Sequence, residues 1–125
     1  MNILLVDDSK TMRNIQKKCL AALSDVAFSE AGDGLEALAL IASTPQGFSL
    51  MLVDWNMPNM NGIDFVARVR ESDRNTPIIM VTTEAEKQRV LDAIRVGASN
   101  YVVKPFTPEG LLEKTKATLV KARAA

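Results

Sequence analysis

Four short runs of apolar residues divide the chain, and each run ends at a polar or proline-containing turn. They cover residues 3–6, 50–53, 78–81 and 101–103. A strand that is apolar at successive positions must be covered on both faces, so these runs predict strands of a buried parallel sheet. Residues 26–30 also read as a strand, but they are more polar and partly alternating, which predicts a position at the sheet edge.

Apolar residues at helical spacing fill the segments between these runs. The spacing predicts helices over residues 10–23, 34–42, 62–71, 86–96 and 108–123. Each helix is expected to bury one apolar stripe, such as Leu35, Leu38 and Ile41 in the second helix and Val90, Leu91 and Ile94 in the fourth. The helix boundaries are marked by capping residues, for instance an N-cap at Asp33 and a stop at Gly97.

The alternation of strands and helices predicts a doubly wound α/β fold of the flavodoxin-like (βα)5 type. Right-handed crossovers would place helices on both faces of a five-stranded parallel sheet. Because the first, third and fourth strands are the most apolar, the order 2-1-3-4-5 is expected, with the second and fifth strands at the edges. A chain of 125 residues has the size of one compact domain, so residues 1–125 are predicted to form a single unit.

The composition excludes several functional classes. No apolar run reaches the length of a membrane span and the N-terminus has no signal-peptide pattern, so we expect a cytoplasmic protein without membrane insertion. Fifteen basic residues balance fifteen acidic ones, which argues against nucleic-acid binding. The chain has no histidine and one cysteine, Cys19, which lies on an apolar helical stripe with Met12, Ile15 and Leu23 and suits a small buried side chain. Carboxylates, hydroxyls and lysine must therefore carry any chemistry.

Polar residues follow the ends of four predicted strands. They are Asp7 and Asp8 after the first strand, Asp54 after the third, Thr82 and Thr83 after the fourth, and Lys104 after the fifth. Parallel strands present their carboxyl ends at one edge of the sheet, where ligands of this fold type bind, near the switch point between strands one and three. Each of these residues alone would be an ordinary turn or helix-capping residue, but the set predicts a site.

Three carboxylates at one edge repel one another unless a cation is present. At an effective dielectric constant near 20, a pair of charges about 4 Å apart costs on the order of 4 kcal/mol. Oxygen ligands without histidine or cysteine favour a hard ion, and Mg²⁺ needs only two carboxylates and a main-chain carbonyl because it retains several waters. With Mg²⁺ and Lys104 neutralising charge, Asp54 could act as a nucleophile toward phosphorus.

The strand-end motifs resemble those of response-regulator receiver domains, in particular single-domain receivers of chemotaxis. The motifs are Val6-Asp7-Asp8-Ser9, Asp54-Trp55-Asn56-Met57-Pro58-Asn59-Met60-Asn61-Gly62, Met80-Val81-Thr82-Thr83-Glu84 and Val102-Val103-Lys104-Pro105-Phe106. The likeness covers essentially the whole chain. Asn61-Gly62 stands where many family members have Asp-Gly, a change at a turn or helix cap rather than at a ligand.

The resemblance implies a role for each residue of the site. Asp54 would be phosphorylated by a histidine kinase of the CheA type. Asp8, Asp54 and the main-chain carbonyl of Asn56 would bind Mg²⁺, with Asp7 assisting through water. Thr82 would hydrogen-bond the phosphoryl group, and Lys104 would pair with it. The family also implies that Asn56 and Glu84 tune the lifetime of the acyl phosphate and that the Lys104-Pro105 peptide bond is cis, which sequence alone would make a minority outcome.

The resemblance further implies a switch. Tyr101 would change rotamer when Thr82 moves, altering the surface of helix four, strand five and helix five that partners read. The expected partners are the kinase, a flagellar switch protein or another output protein, and a phosphatase; the chain is expected to be a monomer. It would be a signalling protein rather than an enzyme, promoting only its own phosphorylation and dephosphorylation. Trp55 is equally well explained as a large half-buried side chain over the loop.

Three alternatives remain at this stage. A haloacid-dehalogenase-type phosphatase also uses an aspartate nucleophile and Mg²⁺, but it requires a second Asp two residues after the nucleophile. The residue at that spacing is Asn56 after Asp54 and Ser9 after Asp7. A flavodoxin-like electron carrier shares the topology, yet Asp7 and Asp8 would repel a flavin phosphate. The third alternative is a receiver that relays phosphate or regulates a target other than the flagellar motor.

Overall fold

Five strands alternate with five helices in the computed structural model, which describes residues 1–83 and 87–124, without the side chains of residues 87–89, 123 and 124. The strands are β1 (Asn2–Val6), β2 (Ala27–Ala31), β3 (Leu50–Asp54), β4 (Ile78–Thr82) and β5 (Asn100–Val103). The helices are α1 (Lys10–Leu20), α2 (Gly34–Ala42), α3 (Gly62–Arg70), α4 (Lys87–Val96) and α5 (Pro108–Ala124). Glu84 and the predicted helix start at residue 86 lie outside the described residues.

The strands form one parallel sheet in the order β2-β1-β3-β4-β5. The predicted fold class and strand order are therefore confirmed. In the register, Val6 pairs with Val53 across β1 and β3, and Asp54 pairs with Val81 across β3 and β4. The central strands β1, β3 and β4 consequently end close together at one edge of the sheet.

The sheet separates two apolar cores, which explains why its central strands are apolar at every position. On one face, strand residues such as Leu4 and Met51 pack with Phe65 of α3 and Ala93 of α4. On the other face, Leu5 and Leu52 lie in a cluster with α1 and α5 residues. Complete burial of one such aliphatic side chain contributes roughly 1.5–3 kcal/mol. The two layers fix the strand ends as a rigid base for the site.

Polar side chains cap the helices that begin near the carboxyl ends of the strands. Oγ of Ser9 accepts a hydrogen bond from Met12 N at the start of α1, and Oδ1 of Asn61 accepts one from Asp64 N at the start of α3. Each such cap contributes about 1 kcal/mol. Gly97 ends α4 with a φ of 114°, as its position after Val96 predicted.

Four details of the helix predictions were wrong, and two of them concern α1. Helix α1 ends at Leu20 rather than at residue 23, because the chain turns there with Leu23 N donating to Leu20 O. Ile15 is 42% exposed, and Gln16 takes the inward position beside the buried Cys19.

The other two errors concern apolar stripes. Leu35 of α2 and the pair Leu91 and Ile94 of α4 are exposed, the last by 54%. Helix α4 instead buries Ala93 against the sheet. Apolar periodicity therefore located these helices correctly but did not identify which of the apolar residues face the core. Among the described residues, no helix has both the length and the apolar character needed to cross a bilayer.

Candidate functional site

Three carboxylates meet at the carboxyl edge of the sheet. Asp54 is the last residue of β3, and Asp7 and Asp8 directly follow the neighbouring strand β1. One oxygen from each of the three lies within 4.8 Å of the others. The sequence-predicted acidic residues are thus brought together because the two strands that carry them are adjacent and parallel.

The three carboxylates differ in exposure and in hydrogen bonding. Asp7 is 1% exposed and its Oδ1 accepts a hydrogen bond from Ser9 N at 2.9 Å. Asp54 is also buried, whereas Asp8 is exposed. Asp8 is therefore the group of the three that an incoming ion can reach most directly.

Lys104 brings a positive charge into this cluster from the edge strand. Its Nζ lies 3.1 Å from Oδ1 of Asp54 and 3.4 Å from Oδ2 of Asp7. The Lys104 backbone N–H donates to the carbonyl of Thr82 at 2.7 Å, which joins the loops after β4 and β5. The Lys104–Pro105 peptide bond is cis, as the resemblance implied.

The surroundings of Asp54 oppose its ionisation. Burial raises the pKa of the Asp54 carboxyl, the nearby Asp7 carboxylate raises it further, and Lys104 only partly compensates. Asp54 therefore carries its charge at an energetic disadvantage without an added cation. Binding a cation next to it would relieve that disadvantage.

The donor set fits Mg²⁺. All available groups of Asp7, Asp8 and Asp54 are carboxylate oxygens, the ligands that hard divalent cations prefer. The loop of residues 55–61 follows Asp54 directly, so the main-chain carbonyl of Asn56 belongs to the same edge. These residues could hold a magnesium ion with several of its waters retained.

Thr82 and Tyr101 lie beyond the acidic cluster, toward the sheet edge. Thr82 ends β4 and is 3% exposed. Tyr101 lies in β5, pairs with Met80 and is partly exposed. Tyr101 therefore lies on the far side of Thr82 from the carboxylates.

Close packing holds the loop that follows Asp54. Trp55 N donates to Val81 O at 3.1 Å, and Gly62 N donates to Trp55 O at 2.8 Å. A Cβ atom at position 62 would lie only 2.3 Å from the carbonyl oxygen of Asp54. Gly62 is consequently required for the start of α3 to approach the backbone of the candidate phosphoacceptor.

Sequence reasoning did not identify Arg13, which supports the site from α1. Its Nη1 donates to the carbonyl oxygen of Asp7, and its Nε pairs with Oε1 of Glu30 at 3.0 Å. Lys17 pairs with the other oxygen of Glu30 at 3.1 Å. Arg13 therefore fixes the backbone of Asp7 against β2. Nothing in the sequence predicts this contact, because arginine is a usual residue on the polar face of an amphipathic helix and its position six residues after Asp7 matches no known motif.

The family model of the response regulator receiver domain matches residues 3–116. The chain belongs to this family. The receiver domain is 45% identical over 121 residues to the chemotaxis protein CheY1 of Helicobacter pylori, covering 95% of this chain and 97% of the relative. It is 44% identical over 116 residues to the chemotaxis protein CheY of Pseudomonas aeruginosa, covering 91% and 92%. Its structure matches the chemotaxis response regulator CheY4 of Vibrio cholerae with a TM-score of 0.82 and 36% identity, covering 94% and 97%.

Proposed function

We propose that this receiver domain is a response regulator of chemotaxis that accepts a phosphoryl group on Asp54 from a histidine kinase. The phosphorylated form would bind an output protein more tightly than the unphosphorylated form. The observation that carries the proposal is the position of Asp54, buried at the carboxyl edge of the sheet close to the Asp7 carboxylate and in contact with the Lys104 ammonium. The chemotaxis assignment rests on the similarity to relatives with that role in their names.

The side chains would prepare Asp54 for in-line attack. Asp8, Asp54 and the carbonyl of Asn56 would hold Mg²⁺, and Asp7 would contribute through a metal-bound water. When bound, Mg²⁺ would neutralise negative charge on the phosphoryl oxygens and on the carboxylates. Lys104, at 3.1 Å from Asp54, is near enough to pair with a phosphoryl oxygen once the group arrives.

The transfer would conserve charge and atoms without a proton donor in this chain. An Asp54 carboxylate oxygen would form a bond to phosphorus while the bond from phosphorus to the donor's imidazole nitrogen breaks, and the donor's imidazole, already protonated at its other ring nitrogen, would leave as a neutral base with the electron pair. The product is an acyl phosphate on Asp54. Phosphoryl transfer requires positioning and charge stabilisation rather than a strong base, so the absence of histidine is compatible with it.

Phosphorylation would change the loops after β4 and β5. The new group adds nearly two negative charges, which attract the Lys104 ammonium and accept a hydrogen bond from the Thr82 hydroxyl. Because the backbone N–H of Lys104 donates a hydrogen bond to the carbonyl oxygen of Thr82, the loops after β4 and β5 would move together. That movement would leave room for the Tyr101 ring to turn inward, and the partner would select this inward state.

The exposed apolar residues of α4 fit a partner-binding surface. Leu91 is 44% exposed and Ile94 is 54% exposed on the helix that follows the Thr82 loop. We infer that a flagellar switch protein reads this face together with Tyr101. The kinase would be of the CheA type, a separate phosphatase would reset the switch, and the protein would act in the cytoplasm as a monomeric signalling module rather than as a classical enzyme.

Acyl-phosphate formation tests the assignment of Asp54. The protein is incubated with acetyl phosphate and Mg²⁺, and intact mass is measured before and after treatment with hydroxylamine, which cleaves acyl phosphates. We expect one phosphoryl group on the wild type and none on Asp54→Asn. The control is Asp64→Asn, which changes an exposed aspartate in the first turn of α3. Labelling of Asp54→Asn at the wild-type level would refute the assignment.

Partner selection is tested separately. The affinity of a flagellar switch protein is measured for the wild type with and without acetyl phosphate and Mg²⁺, with Asp54→Asn as the control. We expect tighter binding only for the phosphorylated wild type. If the protein is phosphorylated but its affinity for the flagellar switch protein is unchanged, the proposed phosphoryl transfer stands. The output would then be a phosphorelay or a target other than the flagellar motor.

A further inference from the structure

A side-chain hydrogen bond ties the loop after Asp54 to the start of a different helix. Nδ2 of Asn59 donates to Oδ2 of Asp33 at 2.8 Å. Asn59 lies within the loop of residues 55–61, and Asp33 is the N-cap of α2. The two residues are 26 positions apart, so the bond joins two separate loops at the edge that carries the acidic cluster.

Asp33 uses both carboxylate oxygens. Oδ1 accepts from Glu36 N at 2.8 Å and caps α2, while Oδ2 accepts from Asn59. The Glu36 N–H and then the Asn59 amide hold the pKa of Asp33 below its usual range. Asp33 is therefore ionised at neutral pH, which makes its bond to Asn59 charge-assisted.

The backbone around Asn59 adds to this connection. Asn59 has a φ of 68°, a left-handed conformation that asparagine tolerates better than most residues. The next residue, Met60, packs so closely on Gly34 that a Cβ there would lie 2.8 Å from Met60 Cγ. Polar and apolar contacts thus hold the same side of the loop against the first turn of α2.

We propose that Asp33 and Asn59 are positioning residues for the metal site. The inference rests on the proposed function, in which the Asn56 carbonyl is a magnesium ligand. Asn56 lies between the end of β3 and Asn59, so fixing Asn59 restricts the path that its carbonyl can take. A ligand held in place before binding loses less conformational entropy when the ion arrives. The Asp33–Asn59 hydrogen bond therefore raises the affinity for Mg²⁺ without contacting the ion.

Two substitutions remove the hydrogen bond while preserving local structure. Asn59→Gly retains the left-handed backbone and deletes the amide. Asp33→Ser retains an N-cap for α2 but is too short to reach both Glu36 N and Asn59. We expect each to weaken Mg²⁺ binding by up to about fivefold, because the hydrogen bond is exposed to solvent. The double variant should bind Mg²⁺ about as tightly as the single variant with the lower affinity, because both substitutions remove the same interaction.

A third variant separates positioning from long-range electrostatics. Asn59→Asp adds a negative charge near the site, which would by itself attract Mg²⁺, but it places two carboxylates against each other in place of the hydrogen bond. We expect weaker Mg²⁺ binding in spite of the added charge. Asn61→Ser is the matched control, because it lies in the same region, keeps an N-cap for α3 and should bind Mg²⁺ like the wild type.

Magnesium affinity is measured by titration calorimetry with MgCl₂ alone, and urea unfolding in EDTA confirms that each variant is folded. If the wild type takes up no Mg²⁺, the proposed function fails. If the wild type binds Mg²⁺ and the Asn59 variants bind it equally well, the positioning role is wrong while the proposed function stands. Additive losses in the Asp33→Ser and Asn59→Gly double variant would also overturn the positioning role.

Discussion

Nζ of Lys104 lies 3.1 Å from Oδ1 of Asp54, although β3, which ends at Asp54, and β5, which precedes Lys104, are not neighbours. β4 separates β3 from β5, and the lysine side chain reaches past the end of β4 to the carboxylate. The same ammonium lies 3.4 Å from Oδ2 of Asp7. Lys104 therefore supplies the positive charge that the two buried carboxylates require when no metal is bound.

We expect Lys104→Met to lower the free energy of unfolding by about 1–3 kcal/mol in metal-free buffer, because two buried carboxylates lose a charged donor. Saturating Mg²⁺ should stabilise this variant more than it stabilises the wild type. In the variant the carboxylates lack the positive charge of Lys104, so the cation neutralises negative charge that the wild type already balances in part. Urea unfolding in EDTA and in Mg²⁺ measures both effects. Lys116→Met, at an exposed position of α5, is the control and should change neither. Equal Mg²⁺ stabilisation of the wild type and Lys104→Met would contradict the prediction.

Gly62→Ala should destabilise the protein by more than about 2 kcal/mol, because the new methyl group would lie 2.3 Å from a backbone oxygen of Asp54 that cannot move freely. Thermal unfolding gives the change in stability. At Gly32 the nearest atom to an added Cβ is Oε2 of Glu36 at 3.4 Å, an ordinary contact. Gly32→Ala should therefore be nearly neutral, and a similar loss in both variants would show that the close approach at Gly62 is not the cause.

Glu30 should make a pH-dependent contribution to stability. Hydrogen bonds from Lys17 and then Arg13 lower its pKa from the ordinary value of 4.5. Because the folded-state pKa is below the unfolded one, the stabilisation is complete above pH 4.5 and disappears as the pH falls through the folded-state pKa. The wild type should exceed Glu30→Gln in stability by at most about 1 kcal/mol at pH 7, since these ion pairs are partly exposed.

The stability curves of the wild type and Glu30→Gln should then converge in acid, as followed by urea unfolding across a pH series. Glu71→Gln is the comparison, because its ion pair with Arg68 is longer, at 3.8 Å, and its side chain is 67% exposed. It should show little difference from the wild type at any pH. A constant difference between the wild type and Glu30→Gln would be inconsistent with titration of Glu30.

Lys114 should restrain the proposed switch residue Tyr101. Its Nζ lies 4.4 Å from the centroid of the Tyr101 ring and donates to the Tyr101 carbonyl at 2.8 Å. The ring contact contributes about 1 kcal/mol, so Lys114→Met should increase the affinity of the unphosphorylated protein for the flagellar switch protein up to about fivefold. NMR shifts of the Tyr101 ring without partner should move toward those of the phosphorylated protein. Unmoved shifts would rule out the restraint, and Lys116→Met is the control.

The topology and the meeting of the acidic residues at one sheet edge could be predicted because their signals are local in the sequence. Fully apolar strands must be buried in the middle of a parallel sheet, and polar residues directly after them must share its carboxyl edge. The register that pairs Val6 with Val53 then brings Asp7 and Asp54 together without further information.

The remaining features depend on side chains that meet through tertiary structure. The Arg13 contact with Asp7 and the Asn59 contact with Asp33 join different elements, and neither residue type is unusual at its position. Periodicity likewise marked Leu91 and Ile94 as apolar positions of α4, but whether other elements cover an apolar stripe is decided by the packing of the whole chain.

The buried Trp55 adjoins Asp54 in the chain, and it is the one tryptophan of the sequence. Its indole is thus an intrinsic fluorophore one residue away from the proposed phosphoacceptor. Tryptophan emission arises from this single residue, so its intensity can be followed in stopped flow to time the proposed ion uptake and phosphorylation without attaching a dye.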